Sequence, residues 1–467
     1  MFNAKMCTFP WTELQLNYDG TYGLCCYHVP FIRNTDRLNE LWNSDSAKNL
    51  RDNIKNYDTK NSICHRCSMH KMDKQFSPFE SFYNEQPVTA RDNIVRAREE
   101  FEKRSLSLSS YPLRLYINFG LQCNLACRMC SQMNLRKQHP ETFDAGVLYN
   151  QIDFFVHLSE ITIIGGEPFL LKPALDFLNF CAGHDVLKRI RFTIITNGTL
   201  IDKHIDLLSK FDNLSLWFSI DSYGEHYENI RIGADWNKVS SNIKMYNEIA
   251  KIRPGWSKAS LSCILMKSGL PGLYDLCRYC IENEYDLNFA RVFHCGAPEI
   301  ANENIFDFHH LLDAYPEWKK IFKESINLLQ SSGYHNAADR LIYYFSCLPE
   351  KKQKQRDLIV FGTGSYAVQQ YNFIEYYNIV AFADNDEKKW GGEFLGHKII
   401  PPAEIKNFPN ITICIASMHY ENILTQILDE NLTTGEIFRI VELERSAPWK
   451  ELTEAIVPYY PEGEGNA

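Results

Sequence analysis

Short apolar runs alternate with amphipathic segments between residues 111 and about 295. Strands that alternate with helices are typical of βα units around a parallel sheet. Six strands are fewer than the eight of a closed barrel, so the pattern predicts an α/β fold with a partial (β/α)6 parallel barrel core. The predicted strands are Leu113–Phe119, Glu160–Ile164, Arg191–Ile195, Ser215–Ile220, Ala259–Leu265 and Asn288–Val292.

The segments on either side of this core have different patterns. A small loop-rich cysteine domain is predicted before it, and a second, shorter βα pattern after it predicts a small Rossmann-like domain. The predicted boundaries are 1–84 for the cysteine domain, 85–110 for a linker helix, 111–300 for the core, 301–355 for a helical connector, 356–447 for the Rossmann-like domain and 448–467 for a polar tail.

Composition and charge exclude several classes of protein. The chain has 467 residues, of which 45% are apolar and 23% charged, as in ordinary globular proteins. Its net charge of −9 gives no strong nucleic-acid signal. No apolar run reaches the ~18 residues of a membrane span, and the first residues lack a signal-peptide pattern. We therefore expect a cytoplasmic protein with no membrane partner.

Fifteen cysteines without an export signal point to metal binding or catalysis rather than to disulfides. Cys123, Cys127 and Cys130 follow the first predicted core strand with the spacing C-x3-C-x2-C. Thiolates are the usual ligands of iron–sulfur clusters. Three thiolates leave one iron of a four-iron cluster without a protein ligand, and open coordination positions are the ones that perform chemistry.

Unusual segments follow the next three strands as well. They are Gly165-Gly166-Glu167-Pro168, Thr196-Asn197-Gly198 and Ser219-Ile220-Asp221-Ser222. Taken singly, the glycine pair is also typical of a tight turn, and Thr196-Asn197-Gly198 of an ordinary turn. Because the carboxyl ends of parallel strands converge at one edge, we expect these segments and the three cysteines to form one site.

Taken together, these motifs resemble the core of the radical S-adenosylmethionine (SAM) enzymes. The resemblance implies a [4Fe–4S] cluster, reductive cleavage of SAM to a 5′-deoxyadenosyl radical, and hydrogen abstraction from a substrate. It also implies a low-potential electron donor such as flavodoxin or ferredoxin. The implied sites are Cys123, Cys127 and Cys130 for the cluster, Gly165, Gly166 and Glu167 for the amino group of SAM, Thr196, Asn197, Ser219 and Asp221 for its ribose, and Arg231 for its carboxylate.

The amino-terminal cysteines suggest a second metal site. Cys64 and Cys67 form a C-x2-C hook, and Cys7 with Cys25 completes a set of four thiolates. Four cysteines also suit structural zinc, and the spacing by itself slightly favours zinc. The adjacent Cys26 is an alternative ligand to Cys25.

The motifs around these cysteines resemble the auxiliary-cluster domain called SPASM, or its shortened twitch form. They are Cys7-x2-Pro-Trp, Asp19-Gly20-x4-Cys25, Leu41-Trp-Asn-Ser44 and Cys64-x2-Cys67. The resemblance implies a second [4Fe–4S] cluster. That domain usually follows the core, whereas here it precedes it.

A glycine motif opens the last predicted domain. Gly362 and Gly364 follow the predicted strand Leu358–Phe361, and Asp384 ends the next strand, Ile379–Ala383. This arrangement can place a phosphate at a helix amino terminus and a ribose hydroxyl on the carboxylate. An α/β packing domain without a ligand is the alternative. Three further segments are Phe382-Ala-Asp-Asn-Asp386, Gly396-His-Lys-Ile-Ile-Pro-Pro402 and Ile413–Ser417. They resemble the nucleotide-sugar-binding domain found before some sugar acyltransferases, which implies a nucleotide-sugar rather than NAD.

These observations favour a radical SAM oxidoreductase that acts on a small-molecule or nucleotide-sugar substrate. A peptide- or protein-modifying enzyme and a non-catalytic iron–sulfur binding or sensory protein are the alternatives. Cys277 and Cys280 are predicted to face the core of a helix, since free cysteines are commonly buried. Cys295, at the end of the sixth strand, is a weaker candidate hydrogen-atom donor.

Overall fold

The computed structural model describes residues 7–25, 30–55, 79, 88–133, 135–292, 300, 303–306, 309–348, 357–369, 371, 377–435, 437–439 and 458–459. The chain divides into two compact units. The first comprises residues 1–304 and 311–345, and the second comprises 305–310 and 346–467. Within the described residues, no helix combines the length and the apolar character that a membrane crossing requires.

The first unit is built on a nine-stranded sheet with the order β11-β10-β8-β7-β6-β4-β1-β2-β3, and β5 and β9 form a separate antiparallel ladder. The strands are β1 Glu13–Leu16, β2 Thr21–Gly23, β3 Phe31–Ile32, β4 Arg114–Asn118, β5 Ala126–Cys127, β6 Glu160–Ile164, β7 Arg191–Thr196, β8 Leu214–Ser219, β9 Arg231–Ile232, β10 Ser260–Leu265 and β11 Asp286–Arg291.

The six predicted core strands are β4, β6, β7, β8, β10 and β11. Each neighbouring pair among them is parallel, so all six carboxyl ends lie at the same edge. This confirms the predicted α/β fold with a partial (β/α)6 core.

Helices connect the strands of this unit. Their apolar positions pack inward, and Cys277 and Cys280 are fully buried on one of them, as predicted. The helices are Phe9–Thr12, Leu38–Trp42, Asp45–Lys55, Val88–Glu102, Leu135–Gln138, Ile152–Phe155, Lys172–Ala182, Ile201–Leu208, Glu225–Ile230, Trp236–Lys251, Leu273–Glu282, Trp318–Ser331 and His335–Ser346.

The amino-terminal segment joins the core sheet through β1, which runs parallel to β4. The fully buried guanidinium of Arg51 donates to the carbonyl oxygens of Pro10 (2.8 Å), Trp42 (2.9 Å) and Leu106 (3.0 Å). The indole of Trp42 donates to the carbonyl oxygen of Ser110 (2.8 Å). These bonds hold the segment before the core on the Ser-rich joint at residues 105–110. The predicted boundaries at 84 and 110 remain predictions.

A row of charges crosses the amino ends of three neighbouring strands. Glu13 of β1 is in register with Arg114 of β4, which is in register with Glu160 of β6. Arg114 lies 3.5 Å from Glu13 and 3.2 Å from Glu160. Burial raises the pKa of Glu13 to about 7, although Arg114 opposes this shift.

The second unit has a seven-stranded sheet with the order β14-β15-β13-β12-β16-β17-β18. The five strands from β15 to β17 are parallel, with an antiparallel strand at each edge. Both faces are apolar, with Ile359 and Ile413 on one face and Val360 and Cys414 on the other. The strands are β12 Asp357–Phe361, β13 Asn378–Ala383, β14 Glu393–Phe394, β15 His397–Ile400, β16 Thr412–Ile415, β17 Ile437–Arg439 and β18 Pro458–Tyr459, with helices Ser365–Gln369 and Tyr420–Asp429.

The raised pKa of Glu13 makes a prediction about stability. A folded-state pKa of about 7, above the unfolded value of 4.5, means that protonated Glu13 favours folding, and this contribution is lost as the pH rises through 7. The Glu13→Gln variant keeps a neutral side chain. We expect it to melt at a higher temperature than the wild type at pH 8, by an equivalent of up to about 3 kcal/mol, with the difference shrinking toward pH 5.

The measurement is the melting temperature of the anaerobically purified protein at both pH values. Glu99→Gln, at an exposed position on helix Val88–Glu102, is the control. A Glu13→Gln protein that is less stable than the wild type at pH 8 would show that the ionised Glu13–Arg114 pair outweighs burial.

Candidate active site at the carboxyl ends of the strands

The segments that follow β4, β6 and β7 are joined by direct hydrogen bonds. Glu167 Oε1 accepts from Thr196 Oγ1 (2.8 Å), and Oε2 accepts from the backbone N–H of Asn197 (2.8 Å). Asn197 Nδ2 in turn donates to Asn124 Oδ1 (3.0 Å) and lies 3.6 Å from Cys123 Sγ. The structure therefore brings together three of the segments that the sequence predicts to share one site.

Glu167 is fully buried, and its carboxylate holds two loops together. A third donor, the N–H of Phe169, lies 3.2 Å from Oε1. Burial raises the pKa of Glu167 to about 7, while these hydrogen bonds work in the opposite direction. A buried carboxylate that loses its hydrogen-bond donors destabilises the folded protein. The three hydrogen bonds to Glu167 therefore fix the geometry of the loop.

The glycine pair is required by close backbone packing. A Cβ on Gly166 would lie 2.1 Å from the carbonyl oxygen of Gln122, and a Cβ on Gly165 would lie 2.6 Å from that of Gly120. Gly165 also has a φ of +135°, a conformation that side chains disfavour. The loop after β6 thus lies directly against the residues that lead into Cys123.

Each thiol of the three-cysteine motif faces a nitrogen donor from a different part of the chain. Besides Asn197 at Cys123, Arg231 Nη1 lies 3.6 Å from Cys127 Sγ, and Arg136 Nη2 lies 3.2 Å from Cys130 Sγ. Donors of this kind stabilise thiolate charge and set the reduction potential of a cluster.

The buried thiol of Cys127 suits a metal-bound thiolate. Burial raises the pKa of the Cys127 thiol to about 11, and metal coordination is what deprotonates such a group. Among the described residues, no three His, Cys, Asp or Glu side chains are grouped closely enough to hold one metal ion.

Asp221 and Arg231 form a buried ion pair, with Arg231 Nε 2.8 Å from Asp221 Oδ2. The two atoms approach closely without the alignment of a hydrogen bond. Asp221 Oδ1 also accepts from the N–H of Ile264 (2.9 Å). Arg231 is in register with Cys127 in the β5–β9 ladder. The pair therefore ties the end of β8 to β10 and to the cysteine loop.

Two site residues were not found from the sequence. Arg136, six residues after Cys130, donates to its sulfur and to the carbonyl oxygen of Leu125 (2.7 Å). Tyr227 is fully buried, and its hydroxyl has no hydrogen-bond partner among the described residues. Its position four residues before Arg231, on the helix Glu225–Ile230 that ends directly before that arginine, was the available signal. Ser219 ends β8 and is half-buried.

The amino-terminal cysteines are only partly described. Cys7 precedes β1, and Cys25 follows β2, which runs antiparallel to β1 from Thr21 to Gly23. Both therefore lie toward the amino ends of the core strands, away from Cys123. Cys26, Cys64, Cys67 and Cys295 lie outside the described residues.

In the second unit, the Asp384 carboxylate accepts hydrogen bonds from the glycine turn. Its Oδ2 accepts from the N–H of Thr363 (3.0 Å), from the Thr363 hydroxyl and from Lys389 Nζ (3.1 Å). A Cβ on Gly362 would lie 2.7 Å from the carbonyl oxygen of Ala416, whereas Gly364 faces open space. The carboxylate predicted to meet a ribose thus bonds to the turn itself, and Lys389 was not found from the sequence.

Three family models match the chain. Residues 117–257 match the radical SAM superfamily. Residues 7–68 match SPASM, an iron–sulfur cluster-binding domain, and residues 354–438 match the family described as C2185-like, N-terminal.

Two curated relatives are GTP 3′,8-cyclases. The protein from Synechocystis sp. is 25% identical over 39% of this chain and 55% of its own length. The protein from Alkaliphilus oremlandii is 29% identical over 26% of this chain and 39% of its own length. The chain thus spans about half the length of the curated relatives it matches, or less.

Solved structures with partial similarity include Streptococcus suis SuiB bound to precursor peptide SuiA. It is 18% identical over 68% of this chain and 70% of that chain, with a TM-score of 0.35. Another is anSMEcpe with bound AdoMet, 20% identical over 39% of this chain and 52% of that chain, with a TM-score of 0.33. At these scores, neither protein's substrate bears on this chain.

The close packing at Gly166 makes a second prediction. The methyl group of a Gly166→Ala variant would displace the backbone before Cys123, because it would meet a carbonyl oxygen at 2.1 Å. We expect SAM to bind the iron-reconstituted variant at least about tenfold more weakly than the wild type in calorimetry. Gly183→Ala, at a helix end, is the control. Equal SAM affinity in Gly166→Ala and wild type would contradict the role given to this packing.

Proposed function

The chain is an enzyme of the radical SAM family, and we propose that it uses SAM to abstract a hydrogen atom from a small polar metabolite, with a nucleotide-linked sugar as the favoured substrate class. Its cofactors are [4Fe–4S] clusters and SAM. The hydrogen-bonded set of strand-end loops around Cys123, Cys127 and Cys130 is the observation that carries the proposal.

Cys123, Cys127 and Cys130 are the proposed ligands of the SAM-binding cluster. A bound and reduced cluster would supply the electron that cleaves a carbon–sulfur bond of SAM, which gives methionine and a 5′-deoxyadenosyl radical. The protein's part is to stabilise the thiolates, through Asn197, Arg231 and Arg136, and to fix their direction.

The loops beside the cysteines form the proposed SAM pocket. The backbone of Gly165 and Gly166 is assigned to the amino group of SAM, with Glu167 holding this loop against Thr196 and Asn197. Ser219 and Asp221 at the end of β8, with Thr196 and Asn197, are assigned to the ribose side. Arg231 Nε lies against Asp221 and Nη1 lies against Cys127. We therefore assign Nη2 to the carboxylate of SAM.

Cys7, Cys25, Cys64 and Cys67 are the proposed ligands of a second [4Fe–4S] cluster. Four thiolates close its coordination, which suits a supporting role such as holding the substrate or accepting an electron. Cys7 and Cys25 lie toward the amino ends of the strands, so this cluster would be at the opposite edge of the sheet from the first. A flavodoxin or a ferredoxin is the proposed electron donor.

The substrate class is proposed from two observations. The curated relatives are named for GTP, a nucleotide. The second unit adds a glycine turn in which Gly362, Gly364 and Asp384 are the proposed ligand contacts. A precursor peptide is the second candidate substrate, because the SPASM match at residues 7–68 is of a kind that accompanies peptide-modifying enzymes.

Reductive cleavage of SAM is the test of this proposal. The protein is reconstituted with iron and sulfide under anaerobic conditions, and 5′-deoxyadenosine is measured after addition of SAM and dithionite. We expect the wild type to form it, and a Cys123→Ala/Cys127→Ala/Cys130→Ala variant to form none. Cys347→Ala, at a half-buried cysteine outside these motifs, is the matched control and keeps the activity. No product from the wild type at full cluster occupancy would overturn the proposal.

A further inference from the structure

Three neighbouring strands of the core sheet, β8, β10 and β11, carry polar side chains on one face, where a parallel sheet normally carries apolar ones. Trp217 of β8 is in register with Ser260 of β10, which is in register with Asp286 of β11. Two residues farther along each strand, Ser219, Ser262 and Asn288 form the next row. Side chains in register on parallel strands lie on the same face. We call these six residues the polar patch.

The opposite face of the same strands is the ordinary core. Phe218, Leu261 and Phe289, which alternate with the polar patch along the three strands, are at most 1% exposed. Parallel sheets are usually apolar on both faces, because helices cover both. The alternation on these three strands therefore indicates that this part of the face borders an open space.

Trp217 identifies this face as a binding surface. It is 39% exposed at the middle of a central strand, in the part of the chain that the structure describes. An indole that packed in the core would be buried, as Trp256 is. A large aromatic face left open beside polar groups is typical of ligand sites, where it supplies contact area and the polar groups supply orientation.

The patch begins at the candidate active site. Ser219 ends β8, two residues before Asp221. The row that contains Trp217 lies roughly 7 Å farther from the carboxyl edge, since each strand residue spans about 3.3 Å. A ring that stacks on Trp217 would therefore lie next to the pocket proposed for SAM.

The chemistry of the patch is neutral and rich in hydroxyl and amide groups. Its one carboxylate, Asp286, is paired with Lys258 at 2.9 Å. Asn288 Nδ2 donates to Ser260 Oγ (3.1 Å), which leaves the Asn288 carbonyl oxygen as an acceptor. A phosphate or a carboxylate would need unpaired cations, which the patch lacks. A neutral ring with several hydroxyls matches these donors and acceptors, and its C–H face matches the indole.

We propose that the polar patch binds the hexose ring of the substrate, with Trp217 as the stacking platform and Ser262 and Asn288 as hydroxyl partners. This inference rests on the proposed function, since it names the substrate class of that site. A free sugar and a nucleotide-linked sugar share this ring, so both are probed.

Direct binding provides a test that does not depend on turnover. Saturation-transfer NMR is recorded on the anaerobic, iron-reconstituted enzyme with SAM and without reductant. The probes are the methyl glycosides and the UDP conjugates of glucose, galactose and N-acetylglucosamine. We expect at least one sugar to show saturation on its ring C–H protons, and Trp217→Leu to bind it about tenfold more weakly. Trp217→Phe keeps an aromatic face and should retain most of the affinity.

Tyr274→Leu is the matched control, because Tyr274 is 37% exposed on the helix Leu273–Glu282 and is not part of the polar patch. Melting temperatures exclude misfolding of the variants, and Asn288→Leu provides an independent loss of a hydroxyl partner. Binding that weakens in Trp217→Leu for both forms of the sugar supports the ring site. Binding that is insensitive to Trp217, or that weakens equally in Tyr274→Leu, overturns it.

Failure of wild-type enzyme to bind any of these sugars at millimolar concentration also overturns the inference. Trp217-dependent binding without SAM cleavage would uphold the sugar site and reject the proposed function. Cleavage of SAM with no Trp217-dependent binding would support the proposed function and reject the sugar site.

Discussion

The buried ion pair between Asp221 and Arg231 is the interaction on which the candidate active site depends. Two charges removed from water must be paired, and removal of one partner from such a pair typically costs about 3–5 kcal/mol. Asp221 lies just after β8 and also accepts from β10, while Arg231 pairs with Cys127 across the β5–β9 ladder. The cysteine loop has almost no regular structure of its own, so this pair is a main link between the loop and the sheet.

A second buried carboxylate acts in the same way. Glu167 accepts a hydrogen bond from Asn197, whose side chain lies beside Cys123. In the same way, Asp221 pairs with Arg231, whose side chain lies beside Cys127. In both cases, a buried acid holds the residue whose side chain faces a sulfur, through the backbone N–H of Asn197 and through the guanidinium of Arg231. Groups behind the direct ligands commonly set the direction and potential of a metal centre. The two buried carboxylates therefore hold Asn197 and Arg231 beside the sulfurs. Gly165 and Gly166 allow the loop after β6 to pack directly against the backbone before Cys123.

Much of the fold followed from the sequence, because hydrophobic alternation reports burial directly. All six core strands were predicted within two residues of their observed ends, and the convergence of Gly165–Glu167, Thr196 and Asn197 followed from parallel topology. The pairing of Arg231 with Asp221 was not predicted, since a motif does not show which of two carboxylates an arginine meets. The addition of β1 to the core sheet was also missed, because a four-residue strand gives no clear periodic signal. The alternation of Ser and Trp with apolar residues in β8 and β10 was present in the sequence and indicates a face open to a ligand.

Electron–nuclear double resonance tests the SAM site most directly. The reduced protein is measured with SAM that carries ¹⁵N in its amino group and ¹⁷O in its carboxylate. If Cys123, Cys127 and Cys130 leave one iron open beside Gly165, Gly166 and Arg231, both labels will couple to the cluster spin, and the coupling will vanish in the triple alanine variant. A fully assembled cluster whose spectrum is unchanged by SAM, with no coupling to either label, would contradict this arrangement.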